Sequence, residues 1–277
     1  EKPVHVMGTP QSYRVRSFKE FIGNAEMKAY FLAVLASFLL ARQTGVNPLP
    51  KGERVMLMGE SRTGKTEMVN LFLQAVSCLE FNLESQSLCK LPCRNCAYNF
   101  HIDGDAGLFA EFSALTCSNL VINHIPIDCT KLTSAAQLKD YLALVSDKTI
   151  ASQGTTIVFM DECHRLARWN MDHMILKAIE QSQAFFILAS AEAGQLEQML
   201  INRCVVLSTE TAEPDEFENW IISISNQYDI QCEAKAVIAL GKKAEYKPGL
   251  ALNCLTKAMR LGGVLTERIV QEWRKEI

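Results

Sequence analysis

Gly59-Glu60-Ser61-Arg62-Thr63-Gly64-Lys65-Thr66 is the stretch on which the reading of this chain turns. Its spacing, G-x-x-x-x-G-K-[ST], is that of a phosphate-binding P-loop, or Walker A motif. The flanks supply what that chemistry needs. Arg54 to Met58 is an apolar run that predicts a buried strand leading in. Met68, Leu71, Phe72 and Ala75 then recur at i, i+3, i+4 and i+7, which predicts a helix leading out. The glycines let backbone N–H groups turn towards phosphate oxygens, and the helix N-terminus adds positive partial charge. Lys65 is expected to reach the β- and γ-phosphates, and the Thr66 hydroxyl to ligate Mg²⁺. The expected nucleotide contacts are Gly59, Glu60, Ser61, Arg62, Thr63, Gly64, Lys65 and Thr66.

A second motif completes such a site. Thr155 to Met160 is an apolar, β-branched run after Gly154, the pattern of a central parallel strand, and it ends in Asp161-Glu162. This is a Walker B signature. Asp161 is expected to hold Mg²⁺ through its water shell and Glu162 to polarise the attacking water. The box Asp161-Glu-Cys-His164 is also helicase-like, but no other helicase motif accompanies it, and His164 reads as a packing neighbour of the loop. Phe185 to Ser190 predicts the next buried strand. Ser190 at its tip is placed between the two Walker motifs, where it can orient the lytic water as a sensor. A short helix over 195–202 and a last strand, Val205 to Leu207, follow. Arg203, just before that edge strand, is a candidate for a finger reaching a neighbouring subunit's γ-phosphate.

Around these motifs the elements are regular. Residues 1–17 read as irregular. Ser17 to Asn24 places Phe18, Phe21 and Ile22 beside a glycine turn, to line an adenine pocket or pin a loop to the core. A buried helix is expected over 26–43, a strand over 120–129 ending at Asp128, and helices over 134–145 and 169–181. From Thr211 the texture changes to four helices, a bundle of about sixty residues. The expected division is an α/β nucleotide-binding domain over 1–210, with an insertion at about 78–101, and a helical lid over 211–277.

That insertion holds Cys78, Cys89, Cys93 and Cys96, spaced C-x10-C-x3-C-x2-C. Four thiolates ending in a tight Cys-x-x-Cys knuckle suit tetrahedral Zn²⁺ in a structural role, with His101 as an alternative ligand. The chain has ten cysteines; most of the others stand singly in apolar surroundings, as reduced core thiols do. A net charge of −3 gives no global basic field for nucleic acid, and no base-reading helix or aromatic stacking run stands out. The longest apolar stretch, 29–41, is shorter than the ~20 residues that span a bilayer, and no signal peptide is read at the start. A cytoplasmic protein without a membrane partner is expected.

The order P-loop, Walker B, polar strand tip, arginine finger and helical lid resembles an AAA+ ATPase, over about residues 12–275. Met160-Asp161-Glu162-Cys163-His164-Arg165-Leu166 is similar to the D-E-x-H-x-L segment of bacterial clamp-loader ATPase subunits and of the Holliday-junction branch-migration motor. Asn202-Arg203-Cys204 resembles the clamp-loader Ser-Arg-Cys finger, with Asn for Ser. Cys78 lies thirteen residues after Lys65, where the clamp-loader zinc module has its first ligand, although the later spacings are longer here. The resemblance implies ATP and Mg²⁺ at Lys65, Thr66, Asp161 and Glu162, Ser190 as sensor 1, and Arg203 acting on the next subunit. It also implies self-association into a ring or spiral, and work on DNA and a DNA-associated protein in replication. Two departures stand out. Gly249 occupies the place of the family's sensor 2 arginine in Pro248-Gly249-Leu250-Ala251-Leu252-Asn253, with only Lys247 near. The sequence also stops where clamp loaders continue into an oligomerising collar, so either a collar lies outside it or assembly runs through the AAA+ domains alone. Three functions fit: a clamp-loader-like ATPase switch, a DNA translocase or branch-migration motor, and an ATP-dependent recruitment regulator on DNA of the transposition or defence kind.

Overall fold

The computed structural model describes residues 8–49, 52–90, 93, 113–117, 120–146, 154–169, 171–191 and 198–274. Its centre is a six-stranded sheet of β1 (Glu53–Met58), β2 (Ser113–Cys117), β3 (Leu120–Asp128), β4 (Thr155–Asp161), β5 (Phe185–Ser190) and β6 (Val205–Ser208), in the order β2-β3-β4-β5-β1-β6. Five strands run parallel. β2 alone is antiparallel, pairing with β3 at one edge.

Period-two alternation sends successive side chains of the central strands to opposite faces. Ile157, Phe159, Phe185 and Ile187 face one layer, with α1 (Ala25–Thr44) and α2 (Lys65–Ser77). Phe72 of α2 is the hinge of that layer, with ring centroids 5.0 Å from Phe31 of α1 and 5.9 Å from Phe185 of β5. Val158, Met160, Phe186 and Leu188 face the other layer, with α3 (Ala135–Ser146) and α4 (Asp172–Gln181). The result is a three-layer α/β fold whose central strands are buried on both faces, which is why they read as unbroken apolar runs.

Beyond α5 (Gln198–Ile201) and β6, the chain forms α6 (Pro214–Gln227), α7 (Ala234–Lys243), α8 (Pro248–Arg260) and α9 (Glu267–Glu272). These pack round a core of their own that includes Phe217, Trp220, Leu240, Leu255 and Val270. A two-residue parallel pair, β7 (Gln231–Cys232) and β8 (Val264–Leu265), closes this bundle.

Three features differ from the sequence expectation. β2 is an added edge strand of five residues, too short to show a period. The helix expected from Trp169 starts at Asp172, because Cys163–Trp169 winds as a tighter 3₁₀ segment, opened by Arg165 N–H donating to the Glu162 carbonyl at 3.0 Å. The β7–β8 pair carries no sequence pattern at all. Cys96, His101 and residues 195–197 lie outside the described residues.

Candidate functional site

The parallel register brings the two motifs to one end of the sheet. β5 lies between β1, which feeds the P-loop, and β4, which ends in the acidic pair. Thr66 Oγ1 donates to Asp161 Oδ2 at 2.8 Å, so the first turn of α2 is tied directly to the tip of β4. Asp161 Oδ1 accepts from the Glu162 N–H at 3.0 Å. Burial raises the Asp161 pKa, and its bond from Thr66 opposes that shift.

Lys65 is buried at the start of α2. Its Nζ donates to the Gly59 carbonyl at 2.6 Å and the Glu60 carbonyl at 2.8 Å, so it caps the loop from inside. Burial lowers its pKa; the nearby Glu162 and Asp161 carboxylates oppose this. Gly64 caps α2 with φ +100°, and a Cβ there would approach Phe21 Cζ to 2.7 Å. Only glycine lets the loop turn this close to the Phe21 ring.

Ser190 is fully buried at the end of β5, and its carbonyl accepts from Gly59 N–H at 3.2 Å. It therefore stands between the P-loop and the acidic strand tip. Glu162 adopts a left-handed φ of +53°, an unfavourable conformation for a glutamate. His164 is buried, with Nδ1 3.3 Å from Glu162 Oε2, which is within ion-pair reach but not aligned as a hydrogen bond.

Gly64, Lys65, Thr66, Asp161 and Glu162 open into a cavity of about 650 Å³, and Ser190 and His164 are buried behind it. Its floor is Lys65, Thr66, Asp161 and Glu162. Phe21 and Ile22 wall one side, and Trp220, Pro248, Gly249 and Leu252 of the helical bundle roof it. Phe18, by contrast, is buried in the α1/α2 core. A nucleotide-sized volume, an inward lysine, a backbone cradle and an apolar wall fit a purine nucleotide with its phosphates on α2. Thr66 and Asp161 supply hard oxygen donors that fit Mg²⁺.

Several positioning residues carry no motif. Asn24 is buried and bridges two segments: its Nδ2 donates to the Thr63 carbonyl at 3.1 Å, and its Oδ1 accepts from Glu210 N–H at 2.8 Å. Thr63 shares a 2.9 Å hydrogen bond with Thr209, just after β6. Asp128 and Thr130 also line the cavity, joined by Thr130 Oγ1 donating to Asp128 Oδ1 at 2.6 Å. Asp128 at a strand end, with Thr130 two residues on, is the one local signal; the Asn24 and Thr209 contacts depend on chain crossings that sequence spacing does not encode.

Arg203 lies elsewhere. β6 runs parallel to β1, with Val205 opposite Val55 and Ser208 opposite Met58. Arg203 therefore precedes the strand at the end remote from the chain's own P-loop. It pairs with Glu180 and donates to the Met199 carbonyl at 3.0 Å.

Cys78, Cys89 and Cys93 converge where α2 ends, with their sulfurs all within 4.8 Å of one another. Cys93 N–H donates to Cys89 Sγ at 3.2 Å. Burial pushes the Cys78 thiol up to about 11. Three converging sulfurs, one of them accepting a backbone N–H, fit a thiolate metal site, and none of the three cysteines forms a disulfide. Arg16 Nη2 donates to the Cys89 carbonyl at 2.9 Å, while Val15 N–H donates to Glu67 Oε1 at 2.9 Å. One extended segment thus touches both the cysteine cluster and the P-loop helix.

No family model and no curated protein matches this chain. Solved structures do match its fold. Two variants of RuvB from Thermotoga maritima align with TM-scores of 0.57 and 0.58 at 18% identity, each covering 94% of this chain and 72% and 71% of their own. The structure titled as the Thermotoga maritima RuvB Holliday junction branch migration motor aligns with a TM-score of 0.55 at 17% identity, over 94% of this chain and 71% of that one. The shared property is the fold. Among the described residues, no helix is long and apolar enough to cross a membrane.

Proposed function

We propose that this chain is an AAA+ ATPase whose site lies in the 650 Å³ cavity. The observation that carries the proposal is the Thr66–Asp161 hydrogen bond at the cavity floor, beside the inward Lys65. A P-loop and an acidic strand tip that meet this way would bring a Mg²⁺-bound triphosphate against a carboxylate base. Lys65 would exchange its loop carbonyls for phosphate oxygens. Asp161 would hold the metal's water shell, Glu162 would take the proton of the attacking water, and Ser190 would orient that water.

Arg203 is the finger in this reading, and it acts on a neighbour. It stands five residues before Ser208, and at about 3.3 Å per residue a strand of that length separates it from its own P-loop. The site is then complete only between protomers, so MgATP would favour a ring or spiral. Residues 211–277 would form the lid over the α/β domain, and a cytoplasmic location fits the whole. The cysteine cluster would hold Zn²⁺ as a structural staple, with Cys96 as the fourth ligand.

Two readings of the work done by this switch each have support. The cysteine cluster, directly after α2, favours a clamp-loader-like remodeller of a DNA-associated partner. The fold shared with the RuvB motor favours DNA translocation at least as strongly. The test is assembly measured by mass photometry with MgATP, MgADP and no nucleotide, with and without linear and branched DNA. A switch predicts MgATP-dependent oligomers that persist without turnover in Glu162→Gln. Stimulation by branched or duplex DNA alone favours the motor, and stimulation that also needs a protein partner favours the loader. Wild-type hydrolysis by Glu162→Gln would refute the catalytic assignment.

A further inference from the structure

Glu60 is held by two lysines from two directions. Lys65, in the cavity floor, donates to its carbonyl at 2.8 Å. Lys247, immediately before α8, pairs with its carboxylate and donates to Glu245 Oε2 at 2.8 Å. Lys247 is largely buried while the Glu60 carboxylate is exposed, so the bundle reaches out to the loop with an ordered cation. Two residues further on, the bundle backbone closes on the same loop. A Cβ at Gly249 would lie 3.1 Å from Arg62 Cβ, and Arg62 itself holds a left-handed φ of +66°. A Cβ at position 249 would require the Arg62 side chain to give by a few tenths of an ångström at this approach.

We infer that Lys247 is a positioning residue that clasps the helical bundle to the phosphate loop through Glu60, and that Gly249 allows the contact by its lack of a side chain. The clasp itself stands on the contacts above; its link to nucleotide rests on the function proposed for the cavity. A lid arginine would sense a terminal phosphate directly. Here the lid is attached to the loop, so it follows the loop. When Lys65 leaves the Gly59 and Glu60 carbonyls for phosphate, the Glu60 peptide is released from one of its two cations while its carboxylate stays on the other. The lid then moves with the loop.

Hydrogen exchange on the full-length protein tests this, with K247M, E60Q, the double variant and the charge-reversed pair E60K/K247E. Without nucleotide, either single substitution should raise exchange in segments 59–64 and 244–251 by about two- to fivefold, the range for an ion pair with one exposed partner. The double variant should match K247M, which also loses the Glu245 contact, and the reversed pair should recover part of the protection, limited by the repulsion between the new glutamate and Glu245. Unchanged exchange in K247M, or additive effects in the double variant, would overturn the clasp. With MgATP, wild type should change its exchange at 244–251, whereas K247M should bind nucleotide but lose that response. A K247M lid that still responds like wild type would refute the coupling. Failure of wild type to bind MgATP would instead refute the proposed function and leave the nucleotide-free test of the clasp standing.

Discussion

The P-loop cavity and the cysteine cluster lie at opposite ends of α2 and are built by different means. The cavity comes from sheet architecture: strand ends far apart in sequence bring the P-loop, Asp128 and Asp161 to one rim, with Ser190 buried beneath it at the end of β5. The cluster comes from local chain, with Cys78 at the end of α2 and Cys89 and Cys93 shortly after it. The first needs the whole α/β core to exist. The second can organise a segment with little core of its own, which is what a structural metal does in small modules. Besides α2 itself, the segment Val15–Arg16 links them. Removing one region and observing the other therefore measures how far they depend on each other.

The largest effect is expected from Arg203→Ala. It should lower turnover in the assembled protein by about a thousandfold or more, the scale of an arginine finger, with nucleotide affinity and metal content unchanged. Steady-state kinetics as a function of protein concentration checks it, and wild-type turnover would remove the trans assignment. Glu162→Gln comes next. Loss of a general base should cost about 10²- to 10⁴-fold in rate while MgATP binding and the cysteine cluster persist, as rapid-quench kinetics and metal analysis would show.

On the other side of the comparison, Cys89→Ser should abolish stoichiometric zinc and lower the melting temperature, while MgATP affinity falls by much less. If affinity collapses with the metal, the Val15–Arg16 segment couples the regions tightly. The smallest effect is expected from Asn24→Ala. It leaves the Thr63 carbonyl and the Glu210 N–H without their bridge, which should destabilise the fold by about 1–3 kcal/mol and weaken nucleotide binding without touching metal content. Denaturant titration and calorimetry on the same variant separate the two losses.

The same contrast explains what the sequence disclosed. Strand tips were legible because a doubly covered parallel strand must be an apolar run, and a polar residue ending it stands out, as Asp161 and Ser190 do. The P-loop was legible because its glycines and Lys65 are contiguous. The cysteines were legible by spacing, although Cys96 lies outside the described residues. Asn24, Thr209 and Lys247 were not legible as site residues. Each acts through a partner from 39 to 187 positions away (Asn24 on Thr63, Lys247 on Glu60), and no periodicity records such a crossing. β2 escaped for a different reason: Ser113-Ala-Leu-Thr-Cys117 mixes polar and apolar residues without an unbroken run, whereas the shorter edge strand β6 carries Val205-Val206-Leu207.

Calorimetry of MgATP against the intact chain, in parallel with Lys65→Ala, tests the nucleotide assignment most directly. Saturable binding by wild type, weakened by at least about a hundredfold in a folded Lys65→Ala variant, is the predicted result; two or more charge-assisted bonds to phosphate are lost. Absence of binding in wild type, or equal binding by both proteins, would contradict it.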